Sequence, residues 1–242
     1  MTFQEPPGLD PRGDAIFLDF DGTLVEIAPT PDAVEIPQGM ADLLNRLHDA
    51  SEGALALVSG RAIADLAGFL PGYRGPIIGS HGAEARGLPT LAAADGAAQD
   101  LAPLHARFAD FAAPRGLLAE PKPHGAAIHF RGNPEAEDEA RAFVEEVLAD
   151  WPDLKIQPAK MAFELKPKSA SKDIALRRIA DEPPFAGRRP VYAGDDATDE
   201  PAIGWAQQAG GLGVKIGDGA SQARHRLAGP AEVLVWLRAA DM

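Results

Sequence analysis

Short apolar runs alternate with helical stripes in the first and last thirds of the chain. Continuous apolar runs typical of buried strands occur at residues 15–18, 55–58 and 77–78. Leucine and isoleucine recur at helical spacing in 38–50 and 63–70. The alternation resumes at residue 172, with helices predicted at 174–180 and 231–239 and strands at 190–193 and 213–216. This order predicts an α/β fold with a doubly wound, Rossmann-like parallel sheet whose last strand is 213–216.

A different order of elements occupies the middle of the chain. Helical stripes at 101–111 and 143–151 are each followed by a pair of strand-like segments. Helix, two strands, helix, two strands is the pattern of an α+β domain. We therefore expect a core formed by residues 1–87 and 169–242, and an inserted α+β cap formed by residues 88–168.

Composition and charge narrow the classes of function. Of 242 residues, 45% are hydrophobic, which is enough for a packed globular core. The formal net charge of −13 argues against a nucleic-acid partner, since that would require a basic surface. No apolar run is long enough to span a membrane. The lack of cysteine and of a signal-peptide pattern leads us to expect a cytoplasmic location.

Two carboxylates follow the first predicted strand. Asp19 and Asp21 are two positions apart, so their side chains can share one face, and Gly22 allows a sharp turn after them. Ligands of parallel α/β sheets bind at the carboxyl ends of the strands. Two carboxylates held close together cost energy unless a cation or a shared proton intervenes. The segment therefore predicts a metal site with a chemical task.

Three further polar segments lie after predicted strands or at predicted helix starts: Ser59, Lys172 and the acidic stretch from Asp195. Asp19 can attack phosphorus as a nucleophile, and Asp21 can protonate the leaving oxygen. Asp19 and Asp195 offer the oxygen ligands that Mg²⁺ prefers. Ser59 is expected to begin a helix and hold phosphate, and Lys172 to supply positive charge. Each segment alone has an ordinary structural explanation, but their combination favours phosphoryl transfer.

The predicted cap strands separate polar from apolar positions. Three pairs of charged residues at alternate positions share a face: Glu120 with Lys122, His129 with Arg131, and Glu164 with Lys166. An apolar face on two helices would leave this polar face free. Such a face can be a ladder of cross-strand pairs or a surface for sugar hydroxyls, and we favour the second. His81 and Glu84 follow a core strand and are expected to contact the substrate.

The separated segments resemble the four motifs of the haloacid-dehalogenase-like phosphohydrolases: Asp19-x-Asp-Gly-Thr, Ser59, Lys172 and Gly194-Asp-Asp. The resemblance covers the whole chain, and the insertion falls where that family places its larger cap. Longer segments are similar to the trehalose-6-phosphate phosphatase branch, namely 58–61, 79–84 and 194–200 in the core and 120–122, 129–131 and 164–166 in the cap.

The resemblance implies hydrolysis of trehalose 6-phosphate through an aspartyl phosphate, with Mg²⁺ as cofactor. It implies that Asp19, the Asp21 carbonyl and Asp195 bind the metal, with Asp196 and Asp199 in support. The residues expected to bind substrate are Arg61, His81, Glu84, Glu120, Lys122, His129, Arg131, Glu164 and Lys166. Another sugar phosphatase, a phosphomutase and a non-catalytic sugar-phosphate sensor remain alternatives, although Asp21 argues against the sensor. We expect a monomer with a small-molecule substrate.

Overall fold

The chain divides into two compact units in a computed structural model that describes residues 3–28, 30–92, 100–159 and 161–241. One unit consists of Met1–Ala94 and Ser171–Met242, and the other of Asp95–Ala170. The predicted boundary at residue 87 differs from this division because Leu88 and Leu91 pack into a core of the first unit. Residues 93–99, which fall in the predicted cap, lie outside the described residues.

The helices and strands follow the chain in three stretches. The first unit begins with β1 (Asp14–Leu18), α1 (Met40–Ala50), β2 (Leu55–Val58), α2 (Ile63–Phe69), β3 (Ile77–Gly79), β4 (Glu84–Arg86) and α3 (Pro89–Ala92). The second unit contains α4 (Ala102–Ala112), β5 (Leu118–Lys122), β6 (Gly125–His129), α5 (Glu137–Asp150), β7 (Leu154–Ala159) and β8 (Ala162–Pro167). The first unit ends with α6 (Lys172–Ile179), β9 (Arg189–Gly194), α7 (Glu200–Gln208), β10 (Leu212–Ile216), β11 (His225–Leu227) and α8 (Pro230–Ala239). Within the described ranges, no helix combines the length and apolar character needed to cross a bilayer.

The sheet of the first unit confirms the predicted α/β class. Its strands, counted over the described residues, number seven in the order β11-β10-β9-β1-β2-β3-β4. All neighbours pair in parallel except β4, which is antiparallel to β3. The chain moves outward from β1 through β2 and β3, and in the opposite direction from β9 through β10 and β11. The switch point between β1 and β9 is where such sheets bind ligands.

Helices cover both faces of this sheet, which explains why its central strands are apolar runs. All five residues of β1 are buried. Ile16 and Leu18 belong to a core cluster with α1 and α8, whereas Phe17 belongs to the opposite cluster with α6 and α7. Successive residues of β1 therefore serve two different layers of helices.

The hydrophobic pattern does not predict two short strands at the edges of the sheet. β4 reads Glu-Ala-Arg and β11 reads His-Arg-Leu, and most of their residues are only half-buried. The expectation that 213–216 is the last strand is wrong, since β11 follows it. An edge strand needs no continuous apolar run because it is packed less completely than a central one.

The second unit has its own sheet and its own core. Its strands are antiparallel in the order β5-β6-β8-β7. Ile128, Phe163 and Leu165 pack from one face of the sheet against Phe108 of α4 and Phe143 of α5. The predicted order of helix, two strands, helix, two strands is confirmed.

Replacing Leu44 of α1 with alanine should lower the free energy of unfolding of the first unit by about 2–5 kcal/mol, because it leaves a cavity between α1 and the sheet. Val235→Ala is the control, since Val235 is 65% exposed and its truncation should cost less than about 0.5 kcal/mol. Urea denaturation followed by circular dichroism measures both changes. Equal losses in the two variants would contradict the packing described for α1.

Candidate active site

Acidic residues from two distant segments meet at the carboxyl ends of β1 and β9. Leu18 is in register with Ala193, so Asp19 and Asp195 follow neighbouring parallel strands. Asp199 lies at the start of α7 and joins them. Each of the three offers a carboxylate oxygen within 4.8 Å of the other two. The structure thus brings the first and last predicted motifs together.

Gly22 makes the approach of Asp195 possible. Its φ of 72° lies in the left-handed region, which glycine adopts without strain. A Cβ at this position would lie only 2.1 Å from Oδ2 of Asp195. The turn after β1 and the loop after β9 therefore share space that only a residue without a side chain leaves open.

Lys172 is buried at the first position of α6 and bridges two of the carboxylates. Its Nζ donates to Oδ1 of Asp19 at 2.7 Å and to Oδ1 of Asp199 at 2.6 Å. Burial alone would lower the pKa of Lys172, but Asp19 and Asp199 outweigh it and raise the pKa above its ordinary value. Lys172 therefore remains an ammonium group in contact with the predicted nucleophile.

Burial disfavours the ionised form of the carboxylates in this cluster. It raises the pKa of Asp19 well above its ordinary value, and the charge of Lys172 opposes this rise. Burial and the neighbouring charges of Asp199 and Asp196 raise the pKa of Asp195 to about 6. Thr23 also donates to Asp19, from Oγ1 to Oδ2 at 3.3 Å. A divalent cation would relieve this repulsion, and oxygen ligands are what Mg²⁺ accepts, so the donor set fits a magnesium ion.

The other two acidic residues of the 195–199 loop have structural contacts of their own. Oδ1 of Asp196 accepts from N and Oγ1 of Thr198, both at 2.7 Å, and this closes the loop. Oδ2 of Asp199 accepts from the backbone N–H of Asp196 at 3.1 Å. Both contacts hold the loop in shape, and the supporting role of Asp196 and Asp199 at a metal stays a prediction.

Asp21 forms an ion pair that the sequence does not reveal. Nε of Arg61 donates to its Oδ2 at 2.6 Å, and an Nη of the same guanidinium donates to its Oδ1 at 2.8 Å. The guanidinium also lies over the ring of Phe69, 4.8 Å from the ring centre. Arg61 and Asp21, predicted separately as a substrate contact and a proton donor, thus hold each other in this structure.

The prediction that Ser59 begins a helix is wrong. α2 starts at Ile63, and Ala62 is the residue before its first turn. Ser59 follows β2, is buried, and its Oγ accepts from the N–H of Arg61 at 3.1 Å. The intervening Gly60-Arg61-Ala62 forms a loop, so no helix terminus acts at Ser59, although its hydroxyl stays at the carboxyl edge of the sheet.

His81 and Glu84 shape the neighbouring loop. Ser80 and His81 have φ values of 46° and 56°, which are unusual for residues with side chains, and the His81 ring lies against Gly60. The carboxylate of Glu84 accepts from Oγ of Ser80 at 2.5 Å and from the N–H of Ile63 at 2.9 Å. Glu84 thereby caps α2, a structural contact beyond its predicted role with substrate.

The polar face predicted for the second unit is present. Ala127 pairs with both Glu120 and Glu164, and Gln157 pairs with Glu164, so these positions share one face. Glu120 accepts from Nζ of Lys122 at 2.6 Å and from His129 at 2.8 Å. The hydrogen bond from His129, with help from Lys122, lowers the pKa of Glu120 to about 2. Burial instead raises the pKa of Glu164.

Two other residues that were predicted to lie on the polar face have different environments. Lys166 is almost completely buried in β8. Arg131 is exposed and lies in the turn after β6, which ends at His129, so the predicted strand 126–131 is too long. The alternation that placed Arg131 on the polar face therefore does not apply to it.

Two buried polar residues beside the acidic loop were not predicted from the sequence. The hydroxyl of Tyr192 in β9 donates to Oδ1 of Asp199 at 2.5 Å. Nζ of Lys215 in β10 donates to the backbone carbonyl of Asp195. A residue with a polar end group inside an otherwise apolar strand could have indicated these contacts in the sequence. Buried polar groups need hydrogen-bond partners. Burial keeps the Tyr192 hydroxyl protonated by raising its pKa well above the ordinary value.

Comparison with known proteins finds similar sequences over most of the chain. Residues 17–230 match the family model of the trehalose-phosphatases. The chain is 40% identical over 228 residues to trehalose-6-phosphate phosphatase of Escherichia coli (strain K12), which covers 92% of this chain and 85% of that protein. It is 38% identical over 205 residues to a probable trehalose-phosphate phosphatase of Sinorhizobium fredii, which covers 84% and 77%.

A solved structure has the same architecture. The crystal structure of a trehalose-6-phosphate phosphatase related protein superposes with a TM-score of 0.75 at 26% identity, covering 94% of this chain and 96% of that one. The family match spans most of the chain, and it confirms the resemblance carried by the four motifs. The chain therefore belongs to the trehalose-phosphatase family.

Proposed function

We propose that this protein hydrolyses trehalose 6-phosphate to trehalose and phosphate. The observation that carries the chemistry is the carboxylate of Asp19 at the switch point of the sheet, held by Lys172 and close to Asp195. Family membership supports the choice of substrate, since the relatives are named for this reaction. A monomeric state and a cytoplasmic location stay predictions from the sequence.

Asp19 is the proposed nucleophile. One of its oxygens bonds to phosphorus while the bond between phosphorus and the sugar oxygen breaks, which leaves an aspartyl phosphate. Asp21, once it has been released from Arg61 and has taken up a proton from solvent, gives that proton to the departing sugar oxygen and then takes a proton from water. The oxygen of that water attacks phosphorus, the bond to Asp19 breaks, and phosphate leaves. Lys172 is proposed to stabilise negative charge on the phosphoryl oxygens.

Asp21 can act as acid and base only if an oxygen is released from Arg61. Both of its oxygens accept from that guanidinium in the structure. A phosphate group is a strong alternative partner for arginine because it also accepts two parallel hydrogen bonds. We propose that the incoming phosphate draws Arg61 away and frees Asp21 for proton transfer.

Asp19, the Asp21 carbonyl and Asp195 are the residues proposed to hold Mg²⁺. When bound, the ion would neutralise the clustered carboxylates and polarise the phosphoryl oxygens. Asp196 and Asp199 would support the site through the loop contacts described above. The close spacing of their carboxylate oxygens supports Asp19 and Asp195 in this assignment.

The polar face of the second unit is proposed to select the sugar. Glu120, with its partners Lys122 and His129, offers charged groups that can hydrogen-bond sugar hydroxyls, and Glu164 lies in the same row. A site that pairs with hydroxyl groups discriminates strongly against substrates that lack them. Arg131 and Lys166 are weaker candidates, since one is in a turn and the other is buried.

The first experiment measures phosphate release with Mg²⁺ across a panel of sugar phosphates that includes trehalose 6-phosphate. Asp19→Asn should reduce kcat by at least about a thousandfold, because an amide does not form an acyl phosphate. Asp218→Asn, on the exposed surface of the same unit, is the control. A near wild-type rate for Asp19→Asn would exclude Asp19 as nucleophile. Preference for another sugar phosphate, or need for a bisphosphate activator, would favour a related phosphatase or a mutase.

Glu120→Ala and Glu164→Ala should each lower kcat/KM for trehalose 6-phosphate by about 10- to 100-fold, the effect of losing a hydrogen bond to a charged group. A small aryl phosphate has no sugar hydroxyls, so its hydrolysis should change by less than about threefold. Glu145→Ala, on the exposed face of α5, serves as the matched control and should affect neither substrate. Similar losses on both substrates would argue against sugar recognition by this face.

Asp195→Asn tests the metal site without an activity measurement. The pKa of Asp195 is about 6 against an ordinary 3.8, so the metal-free folded state loses stability as pH rises from about 4 to above 6. The asparagine variant escapes this loss and should be more stable than wild type at pH 7.5 without metal, by on the order of 1 kcal/mol after allowance for solvent screening. The difference should vanish near pH 3.5.

Added Mg²⁺ should reverse this order. Wild type gains stability by binding the ion, whereas the variant has lost a ligand. Urea denaturation in EDTA and in 10 mM Mg²⁺, with Asp218→Asn for comparison, measures the effect. If Mg²⁺ stabilised Asp195→Asn as much as wild type, Asp195 would not be a ligand.

A further inference from the structure

Tyr192 is a buried polar residue that none of the proposed reaction steps uses. It lies in β9, its side chain is fully buried, and its ring belongs to the core cluster between the sheet and helices α6 and α7. Its hydroxyl is 2.5 Å from Oδ1 of Asp199. The phenol therefore reaches the acidic loop from inside the core.

Asp199 is held from several sides. Its Oδ1 accepts from both Tyr192 and Lys172, and its Oδ2 accepts from the N–H of Asp196. The carboxylate also lies directly against Gly194, where a Cβ would be 2.3 Å from Cγ. Because Asp199 is fully buried, no water replaces a partner that is lost.

Lys172 depends on this anchor. Its flexible four-carbon side chain ends in a compact charge, so its partners decide where the ammonium sits. One partner is the proposed nucleophile, and the other is the same Asp199 oxygen that Tyr192 occupies. A carboxylate that loses the phenol donor can rotate toward the ammonium and change its distance from Asp19.

We propose that Tyr192 is a positioning residue for phosphoryl transfer, which fixes Asp199 and through it holds Lys172 against Asp19. The inference rests on the proposed function, because it assigns Tyr192 to the same reaction. It predicts a specific kinetic signature. Tyr192 touches no substrate group, so its loss should slow the chemical steps without weakening substrate binding.

The chain offers a matched control. Tyr73 is the other of its two tyrosines, is also buried in the first unit, and donates its hydroxyl to the carbonyl of Pro76 at 3.4 Å. Tyr73→Phe and Tyr192→Phe each delete one buried hydroxyl while keeping the ring. A purely structural role for Tyr192 would make the two variants alike in kinetics.

Tyr192→Phe should lower kcat by about tenfold with KM within about twofold of wild type, whereas Tyr73→Phe should leave both unchanged. In a double-mutant cycle, Tyr192→Phe should add no further loss in an Asp199→Asn background, because the two residues act as one unit. A wild-type kcat for Tyr192→Phe, a change confined to KM, or additive losses in the cycle would each overturn the inference.

A spectroscopic measurement keeps the test independent of how well Tyr192→Phe folds. Tyr73→Phe protein labelled with 3-fluorotyrosine carries one fluorine reporter, at position 192. Its ¹⁹F resonance should shift with Asp199→Asn and stay in place with Asp218→Asn. An unchanged resonance in both would show that the phenol does not contact Asp199 in solution.

Different measurements test the proposed function and the positioning role of Tyr192. Wild-type turnover of trehalose 6-phosphate decides the proposed function. The ratio of Tyr192→Phe to wild-type kcat decides the positioning role, and any phosphate monoester that wild type hydrolyses can supply it. If the protein does not hydrolyse trehalose 6-phosphate, the positioning role of Tyr192 can still be measured with another phosphate monoester.

Discussion

The buried ammonium of Lys172 is the interaction on which the site depends. A charge in the interior is tolerated only when it is paired and hydrogen-bonded, and Asp19 and Asp199 supply both conditions. Lys172 and Asp199 come from the last stretch of the first unit and Asp19 from its first stretch, so the contact with Asp19 joins segments that are far apart in the sequence. The same contacts that compensate the charge also orient the proposed nucleophile. The stability of the fold and the proposed reaction thus require the same arrangement of these three side chains.

The apolar pattern predicts the parts of the fold that are buried on both sides. Strand β2 and the buried parts of β1 (15–18) and β9 (190–193) are largely apolar. The acidic residues that follow β1 and β9 meet because parallel strands end at one edge of the sheet. The polar and apolar faces of the second sheet follow from a period of two, which depends only on strand geometry. Strands β4 and β11 are not predicted because these edge strands contain too few apolar residues.

Contacts that long or polar side chains make between distant segments cannot be predicted from such local patterns. The pair of Arg61 with Asp21 depends on how the loop after β2 lies beside the turn after β1, which no local pattern encodes. Ser59 fails as a helix start because three loop residues precede α2. Tyr192 is hidden for a similar reason, since an aromatic residue in a buried strand is ordinary until its hydroxyl partner is known.

Gly22 carries a consequence for how this site can change over evolutionary time. The volume that a side chain at position 22 would need is already filled by the carboxylate of Asp195, although the two residues are far apart in the sequence. A larger residue at 22 is compatible with the fold only if the Asp195 carboxylate moves out of this space or position 195 becomes smaller, and either change alters the acidic cluster. A single substitution at position 22 therefore disturbs the acidic cluster as well as the turn. The missing side chain of Gly22 is thus as much a part of this acidic cluster as the carboxylate that takes its place.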